Sequence, residues 1–124
     1  MILVVADDLL FRSKISTVAK SLGVIVRAAT TPEAAIERAR LDQPTLVLLD
    51  LDGQRPAPLE VLRQFAGDPQ LRALETLGFV SHVHANLIQE ARALGIGRVL
   101  ARSAFVQELP NILAAHVDQG AASE

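Results

Sequence analysis

A run of four large apolar residues, 46–49, stands near the middle of the chain and ends directly in Asp50. The run shows no alternation of apolar and polar positions, which is typical of a parallel strand covered by helices on both faces of its sheet. Ligands of such sheets bind outside the carboxyl ends of the strands, where the strand order reverses. The pattern therefore makes Asp50 a candidate functional residue, although an aspartate here also serves simply to end a strand and form a turn.

Four more short apolar runs predict the remaining strands, and apolar residues at helical spacing fill the segments between them. Strands are expected at residues 2–5, 24–26, 76–80 and 98–101. Helices are expected at residues 11–22, 31–42, 59–66, 87–94 and 103–117. Thr31 is expected to cap the second helix, and Gly23 to follow the first. Ser103 is expected to cap the last helix, which Pro110 must kink or divide in two.

Five strands that alternate with five helices over 124 residues predict a doubly wound α/β domain, with helices on both faces of a five-stranded parallel sheet. The expected topology is the flavodoxin-like strand order 2-1-3-4-5. In that order the first and third strands are neighbours at the switch point. Asp7 and Asp50 then converge at one edge of the sheet, where Ser81 and Arg102 arrive from the fourth and fifth strands.

The composition supports one folded domain and excludes several kinds of site. Half of the residues are hydrophobic while only 3% are aromatic, so we expect a largely aliphatic core. The absence of cysteine excludes disulfides and thiolate chemistry. A formal net charge of -2 provides no basic surface for nucleic acid, so direct binding of nucleic acid is not expected. We expect residues 1–117 to form the domain and residues 118–124 to fray.

The apolar runs are too short to indicate a membrane protein. None approaches the roughly 20 residues of a membrane-spanning helix. Asp7 and Asp8 also interrupt the amino-terminal apolar run where a signal peptide would be continuous. We therefore expect a cytoplasmic protein that does not bind membranes.

Three other kinds of site have weaker support in the sequence. His82 and His84 alternate after the fourth strand, but a zinc site would need a third ligand nearby, so exposed loop residues are expected instead. Ser81 next to His82 suggests a hydrolase pair, yet no G-x-S-x-G elbow surrounds the serine. Residues 95–97 lack the third glycine of a dinucleotide fingerprint and precede a strand instead of a helix.

In their order and spacing, the segments of this chain resemble the receiver domain of two-component response regulators, the family that includes the bacterial chemotaxis regulator. The resemblance covers nearly the whole chain. It is carried by residues 2–5 before acids, 46–50, 59–63, 68–72, 81–82, 93–95, and Arg102 followed by residues 108–109. It implies the doubly wound fold and a role in phosphorelay signal transduction.

The resemblance also implies roles for the residues at the strand ends. Asp50 corresponds to the aspartate that accepts a phosphoryl group from a histidine kinase or a phosphotransfer protein. Ser81 corresponds to the hydroxyl that bonds a phosphoryl oxygen. Arg102 replaces the family's lysine, keeping the charge but exchanging a compact ammonium for a longer planar fork.

A Mg²⁺ site is implied in the same way. Asp7 and Asp50 are the expected carboxylate ligands, because Mg²⁺ usually takes only one or two carboxylates and keeps several waters. Asp52 corresponds to the residue that lends its backbone carbonyl, and its own carboxylate either assists the metal or repels a phosphoryl group. Binding is expected to be weak, because Ala6 replaces the family's first acid and Asp8 is expected to open the first helix.

Two functions remain open at this point. A phosphoryl-accepting signalling switch is favoured by Asp50, Asp7, Ser81 and the cation of Arg102. A pseudo-receiver that binds partners without phosphorylation is favoured by Ala6, by Val99 in place of the family's aromatic switch residue, and by the altered loop at residues 53–58. Either way the chain is expected to be a signalling component and not an enzyme. The implied output protein or domain would contact helix four, strand five and the final helix, and the resemblance also allows a homodimer.

Overall fold

The structure is a computed structural model and describes residues 1–53, 57–81 and 85–117. Within these residues, five parallel strands form one sheet in the order β2-β1-β3-β4-β5. The strands are β1 (Ile2–Val5), β2 (Val26–Ala29), β3 (Leu46–Asp50), β4 (Thr76–Val80) and β5 (Arg98–Ala101). The predicted fold class and strand order are confirmed.

Helices cover both faces of the sheet. They are α1 (Leu9–Leu22), α2 (Pro32–Asp42), α3 (Pro58–Ala66), α4 (Ala85–Ala93) and α5 (Arg102–Ala114). One hydrophobic cluster joins the sheet to α1 and α5, and a second joins it to α2, α3 and α4. In the part of the chain that the structure describes, no helix combines the length and the apolar character needed to cross a membrane.

Capping contacts fix both ends of α1, as the sequence predicts. The Asp8 carboxylate accepts a hydrogen bond from the Phe11 backbone N–H at 3.0 Å, which satisfies one of the free donors of the first turn. At the other end Gly23 adopts a left-handed conformation with φ of 74°, which a residue without a side chain adopts at little cost. Thr31 likewise caps α2 by accepting from the Ala34 N–H at 3.1 Å.

Several predicted boundaries of the second strand and the last helix are wrong. The second strand begins at Val26 and not at Val24, because the Val24 N–H bonds to the Ala19 carbonyl and so completes the turn that ends α1. The last helix begins at Arg102, without a cap by Ser103, because β5 runs straight into α5 with no intervening loop. It ends at Ala114 instead of about residue 117, and it continues through Pro110 without division.

Candidate functional site

The alternation of side chains along β3 directs Asp50 toward the face of the sheet that α1 and α5 cover. Leu46 and Leu48 belong to the cluster on that face, and Asp50 is the next residue of the same parity. The strand register places Asp50 opposite Phe79 of β4, which belongs to the same cluster. The carboxyl group therefore lies at the carboxyl edge of the sheet with only 6% of the residue exposed.

Both oxygens of Asp50 have partners. Oδ1 accepts a hydrogen bond from the Asp52 backbone N–H at 3.0 Å, and Oδ2 accepts one from Arg102 Nη2 at 3.2 Å. Burial raises the pKa of Asp50 above its usual value of 3.8, and the neighbouring Asp52 charge raises it further. The Arg102 guanidinium and the backbone donors oppose this rise in pKa without cancelling it. Asp50 is thus a buried acid whose negative charge is costly in the fold.

Arg102 stands at the centre of the site because it is the first residue of α5, directly after β5. Its Nη2 lies 3.2 Å from Asp50 Oδ2 and 3.8 Å from Asp52 Oδ2. Its Nη1 lies 3.6 Å from Asp8 Oδ2. One guanidinium therefore faces three carboxylates at the same edge of the sheet.

The guanidinium of Arg102 packs against two aromatic rings. Arg102 Cζ lies 4.6 Å from the centroid of the Phe11 ring and 5.6 Å from that of Phe79. Phe79 in turn stacks on Phe105, with ring centroids 4.6 Å apart. A planar guanidinium can lie flat on such rings, which an ammonium group cannot do. The rings therefore give a physical reason for an arginine at this position.

The aromatic contacts of Arg102 were not predicted from the sequence. A signal for them was present, because three of the chain's four phenylalanines lie in this one stack and Phe79 precedes Ser81 by two residues. Phe11 occupies the first turn of α1, the helix that follows the two acids after β1. The convergence of these rings under Arg102 depends on the packing of α1 and α5 against the sheet.

Ser81 directly follows β4 and contacts Asp52. Both its backbone N–H and its hydroxyl donate to Asp52 Oδ2, at 2.7 and 2.8 Å. Ser81 and Asp52 are 29 residues apart in the chain, so this contact joins the ends of β3 and β4. The structure brings Asp50, Ser81 and Arg102 to one edge, with Asp52 between the hydroxyl and the cation.

The predicted metal ligands are only partly brought together. Asp7 is exposed, and in the described residues the acid beside Arg102 from this segment is Asp8. Ala6 is fully buried in the cluster under α1 and α5. Within residues 1–53, 57–81 and 85–117, no group of three or more His, Asp or Glu side chains is arranged to hold a metal ion. The side chains fit a divalent ion poorly, because the carboxylates already face a guanidinium.

Several predicted features lie outside the described residues. They are His82 and His84 with the exposed loop expected for them, the part of the altered loop at 54–56, and the tail expected to fray at 118–124. The predictions for these segments remain predictions.

Comparison with known proteins identifies the fold. No protein-family model and no curated protein sequence matches the chain. Among solved structures, it is similar to the phosphorylated cyanobacterial phytochrome response regulator RcpA, with a TM-score of 0.74 and 22% identity over 92% of this chain and 88% of that one. It is also similar to the chemotaxis response regulator CheY4 of Vibrio cholerae, with a TM-score of 0.77 and 19% identity over 92% of this chain and 95% of that one.

A third similar structure is that of a response regulator protein from Burkholderia pseudomallei with a phosphorylated aspartic acid, a calcium ion and citrate. The TM-score is 0.75, with 20% identity over 98% of this chain and 68% of that one. Together with the strand order, these similarities show that the chain has the fold of the response regulator receiver domains. The resemblance found in the sequence is thereby confirmed for the fold.

Proposed function

We propose that this chain is an atypical receiver domain of two-component phosphorelay signalling, with Asp50 as the phosphoacceptor. The observation that carries the proposal is the position of Asp50 at the carboxyl end of β3, bonded to Arg102 at 3.2 Å. Ser81 supplies a hydroxyl at the same edge of the sheet. Two of the similar structures are of phosphorylated response regulators, one of them with a phosphorylated aspartic acid, which supports the same chemistry here.

With an acyl phosphate as donor, the proposed step needs no proton transfer. A carboxylate oxygen of Asp50 attacks the phosphorus atom of the donor, a P–O bond forms, and the bond from phosphorus to the leaving group breaks. With acetyl phosphate as donor, acetate leaves with the electron pair and an acyl phosphate remains on Asp50. Arg102 would offset the charge that accumulates on the phosphoryl oxygens, and the Ser81 hydroxyl would donate to one of them.

We expect Mg²⁺ to bind weakly, with Asp7 and Asp50 as its carboxylates and the Asp52 carbonyl as a further ligand. The similar Burkholderia structure contains a calcium ion, which supports a divalent ion with this fold. The weakness follows from the arrangement of the site, where Arg102 already faces the carboxylates and Ala6 supplies no ligand. A titration should show millimolar affinity that is lost in Asp7→Ala.

The proposal assigns partners by the same chemistry. A histidine kinase or a phosphotransfer protein would supply the phosphoryl group in the cytoplasm. An output protein or domain, or a second copy of the chain, would contact the surface formed by α4, β5 and α5. In this role the chain accepts a group and passes on a signal, and it is not an enzyme acting on a separate substrate.

Incubation with acetyl phosphate and Mg²⁺, followed by intact mass spectrometry, tests the proposal. We expect the mass of one phosphoryl group to appear on the wild-type chain, because Asp50 combines a carboxylate with an adjacent cation. The matched control is Asp50→Asn, which keeps the size of the side chain and removes the nucleophile. Equal labelling of the control would place the modification elsewhere and contradict the assignment of Asp50.

A second candidate, the pseudo-receiver, has support at Val99. This residue lies in β5, is partly buried against the cluster under α4, and has a short branched side chain. A branched side chain has few rotamers and cannot alternate between buried and exposed positions as a long aromatic one can. We therefore expect beryllofluoride with Mg²⁺ to shift amide signals of Asp7, Asp50 and Ser81 while those of Val99 and α5 hardly move. Large shifts across residues 98–107, or dimerisation, would favour the switch over the pseudo-receiver.

A further inference from the structure

Two hydrogen-bond donors and a guanidinium surround a single oxygen of Asp52. The Ser81 backbone N–H lies 2.7 Å from Oδ2 and the Ser81 hydroxyl 2.8 Å from it. Arg102 Nη2 lies 3.8 Å from the same oxygen. A backbone N–H, a hydroxyl and a guanidinium that converge on one point form a binding position for an oxyanion. In this chain the anion is the protein's own carboxylate.

A hydrogen bond to Asp50, the candidate phosphoacceptor, fixes the position of Asp52. Asp50 Oδ1 accepts the Asp52 backbone N–H at 3.0 Å, so the two residues form a tight turn at the end of β3. The turn holds the Asp52 carboxylate within reach of Ser81 across the sheet edge. An anion tethered in this way occupies its donors at a high effective concentration, which a free anion must overcome.

We propose that the Asp52 carboxylate is a tethered oxyanion that occupies the two donors of Ser81 beside the Arg102 guanidinium, and that any tetrahedral oxyanion entering the site must displace it. Its consequence for phosphorylation rests on the proposed function. A phosphoryl group on Asp50 would need the same hydroxyl, the same N–H and the same guanidinium. Asp52 then acts as an autoinhibitory contact that slows acceptance of the phosphoryl group, and it also repels the group by its charge.

Sulfate is a suitable probe, because it is a tetrahedral oxyanion that cannot be transferred to Asp50. Its binding is followed through the amide signal of Ser81 at constant ionic strength, in the full chain. We expect Asp52→Ala to bind sulfate about tenfold more tightly than the wild type, since a charge-assisted hydrogen bond no longer has to be broken.

A matched control distinguishes the contact between Asp52 and Ser81 from the general effect of a negative charge beside Arg102. Asp8→Asn also removes one negative charge beside Arg102, keeps an oxygen to cap α1, and does not touch Ser81. We expect it to change the sulfate affinity less than about threefold, the size of an exposed ion-pair effect. An equal gain in Asp52→Ala and Asp8→Asn would overturn the proposal, because charge and not occupation of the donors would then set the affinity.

Acetyl phosphate distinguishes the failure of this proposal from that of the proposed function. We expect Asp52→Ala to be phosphorylated faster than the wild type and than Asp8→Asn. Tighter sulfate binding without phosphorylation of any variant would support the tethered oxyanion and contradict the proposed function. Equal phosphorylation rates together with unchanged sulfate affinity would overturn the tethered oxyanion and leave the proposed function intact.

A second variant, Asp52→Asn, keeps the test valid if Asp52→Ala does not fold. Asp52→Asn keeps the size of the side chain and the backbone turn, and a neutral amide oxygen accepts more weakly than a carboxylate. We expect its sulfate affinity to lie between those of the wild type and Asp52→Ala, with amide signals of Gly78 and Phe79 in β4 unchanged. Sulfate affinity no higher than that of the wild type in both folded variants would overturn the proposal.

Discussion

Asp50 and Asp68 each accept a hydrogen bond from an arginine, yet their pKa values move in opposite directions. At the edge of the sheet, Asp50 accepts from Arg102 at 3.2 Å, and its pKa is raised chiefly by burial. In the turn after α3, Asp68 accepts from Arg40 of α2 at 2.7 Å, and its pKa is lowered chiefly by that hydrogen bond. The Gln70 backbone N–H adds to the lowering. An arginine partner alone therefore does not decide the ionisation of an aspartate.

The difference lies in what each carboxylate loses on folding. Asp68 stays at the surface, so its bonds are a net gain for the charged form. Asp50 loses its solvent beside a second carboxylate, Asp52, and one shared guanidinium does not replace it. The charged form of Asp68 therefore stabilises the fold. The charged form of Asp50 destabilises it, although Arg102 holds this carboxylate in place.

The largest difference in stability between the two sites is expected when each arginine is removed. We expect Arg102→Ala to lower the free energy of unfolding by about 2–3 kcal/mol near pH 8, because it leaves Asp50 buried without a cation. Arg40→Ala should cost only a small part of this loss, as is usual for an exposed ion pair. Urea unfolding followed by circular dichroism measures both. Equal losses in the two variants would show that the burial of Asp50 has no energetic effect.

The features that the sequence predicts are those that depend on neighbouring residues in the chain. The unbroken apolar run 46–49 is enough to predict β3 and the position of Asp50, because such a run is typical of a strand buried on both faces. The predicted boundary of β2 was wrong because Val24 completes the turn after α1, a backbone bond that an apolar side chain does not reveal. Local pattern thus predicts elements better than it predicts their ends.

The contacts of the site depend instead on side chains that meet only after folding. The hydrogen bond that Asp52 accepts from Ser81, 29 residues away, was not predicted. The ring of Phe11 lies under Arg102 through the packing of α1 against α5. The residues of the site could be predicted from the ends of the strands, but their pairing required the register of the sheet and the direction of each side chain.

Neutral replacements of the two aspartates should change the pH dependence of stability in opposite directions. Because folding raises the pKa of Asp50 above 3.8, the wild type loses stability as the pH rises from 3.8 through the folded-state pKa. Asp50→Asn should remove this loss and be more stable than the wild type near pH 7. Because folding lowers the pKa of Asp68, its stabilisation is present above 3.8 and is lost as the pH falls through the folded-state pKa. Asp68→Asn should therefore be less stable than the wild type near pH 7.

Urea unfolding at a series of pH values checks these signs. The difference in stability between Asp50→Asn and the wild type should shrink as the pH falls toward 3.8, where the wild-type carboxyl becomes neutral as well. The loss in Asp68→Asn should also shrink at low pH, as the wild type itself loses the charge. Lower stability of Asp50→Asn near pH 7 would mean that the bond to Arg102 outweighs burial.

The smallest expected effect tests whether the cation at the sheet edge is held by charge or also by shape. Arg102→Lys keeps the positive charge beside Asp50 but loses the contact of the guanidinium with the Phe11 ring, whose centroid lies 4.6 Å from Cζ. We expect a loss of about 0.5–1 kcal/mol, the usual size of a partly exposed cation–π contact. Arg40→Lys is the matched control, since Arg40 pairs with Asp68 at the surface and an exposed lysine can still reach that carboxylate. If Arg102→Lys is no less stable than its control in urea, the aromatic rings do not select the guanidinium, and charge alone accounts for the residue at this position.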